Sequence, residues 1–180
     1  MTSPSPPGLV WLNAAAAEDA RAALREVCAA RSWTERLLGH RPYATPEELL
    51  LASDTALAEL PAAGLREAMA GHPPIGRPKS GDATSTREQR GMADASERLR
   101  AEMLELNLAY QEKFGHVFLI CATGLSGERM REAARERLAN SPEREREIVR
   151  QELVKINRIR LTRLVEHPPP GTARGEEPSV

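Results

Sequence analysis

Apolar residues recur at helical spacing along almost the whole chain, and this periodicity restricts the fold more than any other feature. The clearest example is the stretch before the C-terminus, where one helix face collects Ile148, Val149, Leu153, Ile156, Ile159 and Leu164. Only Val117 to Cys121 forms an unbroken apolar run of strand length, and the sequence offers no second strand candidate to pair with it. We therefore interpret this run as a buried connecting segment. The sequence predicts an all-α protein, a single compact helical domain of about six to eight helices.

Capping residues and helix breakers divide the periodic sequence into separate helices. Asn13 is suited to cap a first long helix, and Thr45 followed by Pro46 opens another. Gly71 and Gly115 are natural helix ends, since glycine readily adopts the left-handed conformation that closes a helix. The predicted helices span residues 14–30, 34–40, 46–60, 61–70, 84–114, 127–138 and 141–165.

Both ends of the chain differ in composition from this helical region. Residues 1–8 are rich in proline and serine, and residues 167–180 are rich in proline and glycine, so we predict a disordered tail at each end. Residues 9–166 then form one domain. A chain of 180 residues with 41% hydrophobic composition suffices for one such core.

The charge balance and the cysteines limit the partners and the compartment. A formal net charge of −1 leaves no broad basic face for a phosphate backbone, which argues against nucleic acid. Cys28 and Cys121 stand in apolar sequence without a CxxC partner, so we expect reduced thiols and a cytoplasmic protein. The first residues lack the segments of a signal peptide, and no apolar run approaches the length of a membrane helix. We therefore predict no membrane partner.

Residues 72–123 contain the side chains best suited to catalysis or ligand binding, beginning with His72. A histidine after a helix end often does no more than interact with the last carbonyl groups of that helix. However, Pro73 and Pro74 follow directly and restrict the backbone, which is one way to hold a general acid or base in place. Both interpretations of His72 remain open at this point.

The next motif is Ser85-x-x-Glu88-Gln89, which also has two interpretations. Ser-x-x-Glu at a helix start is the capping box, in which both side chains satisfy backbone N–H groups. Alternatively, the three residues share one helix face and present a hydroxyl, a carboxylate and an amide together. Such a set could bind a ring rich in amide groups.

Other catalytic arrangements find little support in the sequence. His72, Glu88 and His116 lack the spacing of a known zinc motif, and no GxSxG nucleophile elbow occurs. Two other functions nevertheless remain open. One is a non-catalytic helical module for protein interaction, and the other is a metal-dependent hydrolase of cyclic amides.

Taken in order, these motifs resemble those of the 2-oxo-4-hydroxy-4-carboxy-5-ureidoimidazoline (OHCU) decarboxylases of urate degradation. The matching residues are His72-Pro73-x-Ile75-Gly76, Ser85-x-x-Glu88-Gln89 and Asn107-x-x-Tyr110-x-x-Lys113-Phe114-Gly115-x-x-Phe118. Trp33, the segment Arg41-Pro42-Tyr43 and Asn157-Arg158-Ile159 are also similar to that family. The resemblance covers about residues 9–166, and the ordered set is far more specific than any single motif.

The resemblance implies an all-α homodimer, free of cofactor and metal, that converts OHCU to (S)-allantoin and CO2. It implies that His72 is the principal acid or base and Glu88 its partner. Ser85 and Gln89 would bind ring or ureido amides, and Pro73 would pack on the ring. The remaining ligand contacts implied by the resemblance come from the segment containing Leu119, Ile120, Cys121, Ala122 and Thr123, largely through backbone N–H groups.

Thr123 departs from the family pattern. Many relatives carry an arginine there, which can pair with a carboxylate or a ring carbonyl. Either Arg77, Arg87 or Arg158 supplies the missing charge, or this branch binds its substrate through neutral donors. The sequence leaves the choice open.

Overall fold

The computed structural model describes residues 5–170, and within that range every regular element is helical. Nine α-helices follow one another, with a single 3₁₀ turn (Arg90–Met92) between the sixth and the seventh. They are α1 (Pro7–Ala14), α2 (Ala17–Val27), α3 (Arg31–Gly39), α4 (Pro46–Ala58), α5 (Ala62–Ala70), α6 (Ala83–Glu88), α7 (Glu97–Phe114), α8 (Gly127–Leu138) and α9 (Pro142–Glu166). The all-α prediction is confirmed, with one helix more than the upper expectation among the described residues. No helix in this range is long and apolar enough to cross a membrane.

The buried side chains form two apolar clusters. The larger lies among α1 to α5 and α9, and α9 packs against both α1 and α4. The smaller lies chiefly between α7 and α8 and includes Met103, Tyr110 and Met130. The segment between α7 and α8, residues 115–126, is hereafter the connector. It contributes Leu119 to the larger cluster and Phe118 to the smaller one, so it lies where the two clusters meet.

Several helix ends follow directly from their capping residues. The Thr45 hydroxyl accepts a hydrogen bond from the Glu48 N–H, and Ser126 and Ser141 cap α8 and α9 in the same way. Gly115 closes α7 with φ at 77°, in the left-handed region. The connector contains no strand, as predicted. The expected bounds of α8 are confirmed, and α9 ends one residue later than expected.

The predicted helix over residues 84–114 is wrong, because the structure divides it into α6, the 3₁₀ turn and α7. Ser96 caps α7 by accepting a hydrogen bond from the Leu99 N–H at 3.1 Å. Gly91 lies against the connector, where an added Cβ would stand 1.8 Å from the Leu125 carbonyl oxygen. The apolar period continues across the break, but this close approach requires the chain to turn there.

The start of the chain also differs from expectation. Asn13 lies inside α1 and caps no helix; its side chain donates to the Tyr43 carbonyl and accepts from the Tyr43 N–H, at 2.8 and 2.9 Å. Helix α1 begins at Pro7, within the segment expected to be a tail. Residues 1–4 and 171–180 of the two expected tails lie outside the described residues.

Candidate active site

The loop that follows α5, residues 71–82, carries His72 and is fastened from two sides. The Gln89 side chain accepts from the Gly76 N–H at 2.9 Å and donates to the Pro74 carbonyl at 3.1 Å. Asn107 of α7 donates to the Ile75 carbonyl at 2.9 Å. Gly76 has φ of 84°, a conformation that favours glycine. The proline-restricted backbone is therefore also held by buried amide side chains.

His72 lies half-buried at the mouth of this loop. Burial, reinforced by the nearby positive charge of Arg160, lowers the pKa of His72 to about 3. The imidazole is therefore neutral near pH 7. A neutral imidazole has one nitrogen free to accept a proton, so His72 is suited to act as a base in the resting site.

Glu88, the last residue of α6, is held by Arg160 of α9. The Arg160 Nε donates to Glu88 Oε1 at 2.7 Å, and its Nη2 donates to Oε2 at 2.9 Å. Arg160 also donates to the Val27 carbonyl of α2 at 3.0 Å. This two-pronged geometry fixes the plane of the carboxylate. Among the described residues, Glu88 makes no hydrogen bond to His72.

The connector closes the opposite side of the site and is itself held by charged side chains. Arg137 of α8 donates to the Leu119 carbonyl at 2.7 Å. Glu152 of α9 accepts from the Cys121 N–H at 2.7 Å. The backbone of the connector is thus fixed relative to both helices.

A narrow cavity lies between the loop, α6, the connector and α9. Its lining combines a few polar side chains with a larger number of apolar ones. Its lining residues are His72, Pro73, Ile75, Ser85, Glu88, Gln89, Phe118, Leu119, Ile120, Ala122, Thr123 and Ile156. An apolar cavity with a few convergent polar groups is the usual form of a small-molecule site.

The family model described as OHCU decarboxylase matches residues 13–162. The chain belongs to the OHCU decarboxylase family. This is a family of carboxy-lyases associated with urate degradation.

Individual members of the OHCU decarboxylase family agree with this assignment. The chain is 31% identical over 150 residues to the 2-oxo-4-hydroxy-4-carboxy-5-ureidoimidazoline decarboxylase of Amia calva, which covers 79% of this chain and 82% of that protein. It is 28% identical over 144 residues to the uric acid degradation bifunctional protein TTL of Arabidopsis thaliana, covering 76% of this chain. The chain spans only 44% of the length of that plant protein.

Two solved structures share the fold. A crystal structure of OHCU decarboxylase in the presence of (S)-allantoin superposes with a TM-score of 0.71 and 26% identity, over 85% of this chain and 100% of that one. A structure of (S)-allantoin synthase gives a TM-score of 0.65 at 16% identity, over 87% of this chain and 53% of that one. The second likeness concerns the fold alone.

The cavity of this OHCU decarboxylase family member brings together nine of the ten residues that the sequence and the resemblance singled out. Cys121 is the exception, because it does not line the cavity and its N–H is bonded to Glu152. Whether these residues contact a ligand, and which of them are catalytic, stays a prediction. Across residues 5–170, no group of three His, Cys, Asp or Glu side chains is arranged to hold a metal ion.

The capping-box interpretation of Ser85 and Glu88 is wrong. Asp82 caps α6 by accepting from the Thr84 N–H at 2.9 Å, so Ser85 lies inside the helix and Glu88 ends it. The Ser85 hydroxyl accepts from the Lys79 N–H at 3.1 Å and donates to the Asp82 carbonyl at 3.3 Å. Ser85 therefore fastens the end of the loop while also facing the cavity.

Sequence reasoning missed Arg160, whose pairing with Glu88 determines the electrostatics of the site. The signal was weak: Arg160 lies four residues after the buried Ile156 and so interrupts the apolar stripe of α9. Of the arginines proposed to replace the charge at Thr123, Arg158 forms a surface ion pair with Asp54. Arg77 lies by a different cavity, between the loop and α7.

Proposed function

We propose that this chain decarboxylates OHCU to (S)-allantoin and CO2 without a cofactor, with His72 as acid and base and Glu88 as its partner. One observation carries the proposal. A neutral, half-buried histidine and an arginine-held carboxylate face the same narrow cavity, in a member of the OHCU decarboxylase family.

The substrate supplies its own electron sink. Its carboxylate is attached to a carbon adjacent to a ring C=N bond, so the electron pair released with CO2 moves into that imine, whose nitrogen takes up a proton from water, and leaves an enol. The enol then loses its hydroxyl proton and gains a proton on the neighbouring ring carbon. The protein has to orient the ring, accept one proton and deliver the other to one face.

We assign to His72 the removal of the hydroxyl proton. Because burial and Arg160 lower the pKa of His72, the imidazole of the free site is unprotonated over the neutral range and has a lone pair that can accept the hydroxyl proton. Once protonated, the imidazolium in this environment is a strong acid and readily gives the proton back. His72 can therefore serve the removal and the return of a proton in a single turnover.

We assign Glu88 to binding the substrate, with Arg160 holding the carboxylate in position. Each carboxylate oxygen accepts one hydrogen bond from Arg160 and keeps a second lone-pair direction for an N–H of the ring or the ureido group. Pro73, Ile120 and Ala122 supply apolar surface for the ring, and Ser85 offers a hydroxyl. In this assignment Gln89 acts mainly by holding the loop, since its amide is bonded to Gly76 and Pro74.

The decisive experiment follows the optical activity of the product. OHCU is generated freshly from urate with upstream enzymes, the protein is added, and circular dichroism records the appearance of (S)-allantoin. We expect a rapid signal with wild type that EDTA does not reduce, and only the slow racemic background with His72→Asn. A racemic background with wild type would favour the interaction module, and loss of activity with EDTA would favour the metal-dependent hydrolase.

The proposal includes a homodimer, as the family resemblance implies, and a cytoplasmic location, as expected for reduced cysteines. Light scattering coupled to size-exclusion chromatography tests the assembly, since a dimer has about twice the 19.8 kDa mass of the chain. A monomeric mass at micromolar concentration would remove the dimer from the proposal without affecting the reaction.

A further inference from the structure

A second cavity of about 530 Å³, hereafter the vestibule, adjoins the narrow cavity lined by His72 and Glu88, hereafter the reactive cavity. The two share Glu88 and Thr123 as lining residues. The vestibule is bounded by the end of α6, by the 123–126 part of the connector and by Ile159 and Arg163 of α9. A molecule that reaches His72 from this side therefore passes Thr123.

Three guanidinium groups line the vestibule, from Arg87, Arg90 and Arg163. Among the described residues, none of the three pairs with a carboxylate, and the one side-chain hydrogen bond is a long contact of 3.5 Å from Arg87 to the Thr84 hydroxyl. Within residues 5–170, the only acidic side chain in the lining is Glu88, whose charge Arg160 compensates. The vestibule is thus locally positive in a chain whose formal net charge is −1.

The sequence produces this cluster by simple helical geometry. Arg163 lies three residues after Arg160 on α9, so the two lie on neighbouring turns of the same helix face. Arg87 directly precedes Glu88 at the end of α6. Glu88 of α6 and Arg160 of α9 therefore pair with each other. Arg87 and Arg163, at nearby positions of the same two helices, each add a positive charge that no carboxylate of the described residues compensates.

We propose that the vestibule captures the carboxylate of the substrate through Arg87 and Arg163, at the place where Thr123 leaves room for it. The inference rests on the proposed function and adds the residues that select an anionic substrate. The carboxylate leaves as CO2, and the remaining product is neutral. The vestibule therefore attracts the substrate but not the product, which favours release after turnover.

The first experiment compares Arg87→Gln, Arg163→Gln and the double variant with Arg66→Gln. Arg66 is exposed on α5 and lines none of these cavities, so this control removes the same charge elsewhere. At low ionic strength we expect each vestibule variant to lower kcat/KM about fivefold and the double variant more than tenfold, mainly through KM. The salt dependence of kcat/KM should flatten, while the affinity for neutral allantoin stays unchanged.

The inference is overturned if the vestibule variants resemble Arg66→Gln in KM and in salt dependence. It is also overturned if kcat falls and KM does not, because the arginines would then stabilise the transition state rather than capture the substrate. Melting temperatures within about 2 °C of wild type ensure that all variants are folded.

A second measurement separates this inference from the proposed function. Inorganic phosphate is titrated into wild type and the double variant, and NMR follows the backbone amides of residues 123–126. We expect saturable shifts in wild type that the double variant lacks. If wild type makes no (S)-allantoin, the proposed function fails, and this titration still decides whether the vestibule binds anions; equal shifts in both proteins would refute the site.

Discussion

Two glutamate–arginine pairs border the connector, and they differ in how completely the carboxylate is satisfied. Glu145 is fully buried and accepts from Arg137, Tyr110 and Asn140, at 2.7, 2.5 and 3.0 Å. Glu88 lines a cavity and has Arg160 as its one side-chain partner among the described residues. In both pairs the arginine also donates to a backbone carbonyl, of Leu119 or of Val27.

The same chemistry therefore serves two purposes. Burial disfavours the charged form of Glu145, but hydrogen bonds from Arg137, Asn140 and Tyr110 hold its pKa below the ordinary value. With three donors around it, this carboxylate has little capacity left for a ligand, and the pair fixes the connector. Glu88 keeps accepting capacity toward the cavity. The number of hydrogen bonds that the carboxylate already accepts therefore distinguishes the structural pair, Glu145–Arg137, from the Glu88–Arg160 pair, which can still bind a substrate.

The largest effect is expected at His72, which lines the same cavity as Glu88. His72→Asn keeps a polar side chain of similar reach but removes the base. We expect kcat to fall about 1000-fold, within the range of general acid–base catalysis, with little change in melting temperature. Stopped-flow circular dichroism measures the rate. Turnover within tenfold of wild type would remove His72 from the reaction.

Breaking the Glu145–Arg137 pair should affect stability more than activity. Glu145→Gln leaves Arg137 without its counter-charge in the protein interior, and we expect the free energy of unfolding to fall by about 3 kcal/mol. Urea titration at pH 7.5 measures it. Enzyme that remains folded should keep most of its kcat, since Glu145 does not line the reactive cavity. An unchanged midpoint would show that the network around Glu145 adds nothing to stability.

The corresponding substitution of Glu88 should affect activity more than stability. Glu88→Gln is expected to lower kcat about 100-fold, because an amide cannot offer two negative oxygens to Arg160 and the substrate. The effect on unfolding should be smaller, about 1–2 kcal/mol, since the Glu88 side chain keeps 15% exposure whereas that of Glu145 has none. If Glu88→Gln destabilises the protein as much as Glu145→Gln does, the distinction between the two pairs is wrong.

The two pairs also show how far the sequence can predict this site. Local sequence patterns were enough to predict that His72 lies on a proline-restricted loop and that Ser85, Glu88 and Gln89 lie near one helix face. They were also enough to predict that the connector is not a strand. The Glu88–Arg160 pair joins residues 72 positions apart, and no local pattern encodes which helix faces meet. The same holds for the break at Gly91, which depends on the approach of the Leu125 carbonyl.

The smallest effect expected concerns the pH dependence of stability. The pKa of His72 is about 3 in the folded chain, and an unfolded histidine titrates near 6.5. Between these values the unfolded chain binds the extra proton, so the contribution of His72 is complete above about pH 6.5 and is lost as the pH falls toward 3. Partial exposure weakens the effect. We expect wild type to lose about 1 kcal/mol more than His72→Asn between pH 7.5 and 5.5.

Urea unfolding at the two pH values measures this difference, and the window lies above the range in which the carboxylates titrate. Equal losses in wild type and His72→Asn would mean that the imidazole is not desolvated. Arg160→Gln refines the comparison of the two pairs, because it removes the cation that helps to depress the pKa of His72 and leaves the burial. The pKa of His72, followed by NMR, should then rise only part of the way toward 6.5, since burial is the larger cause.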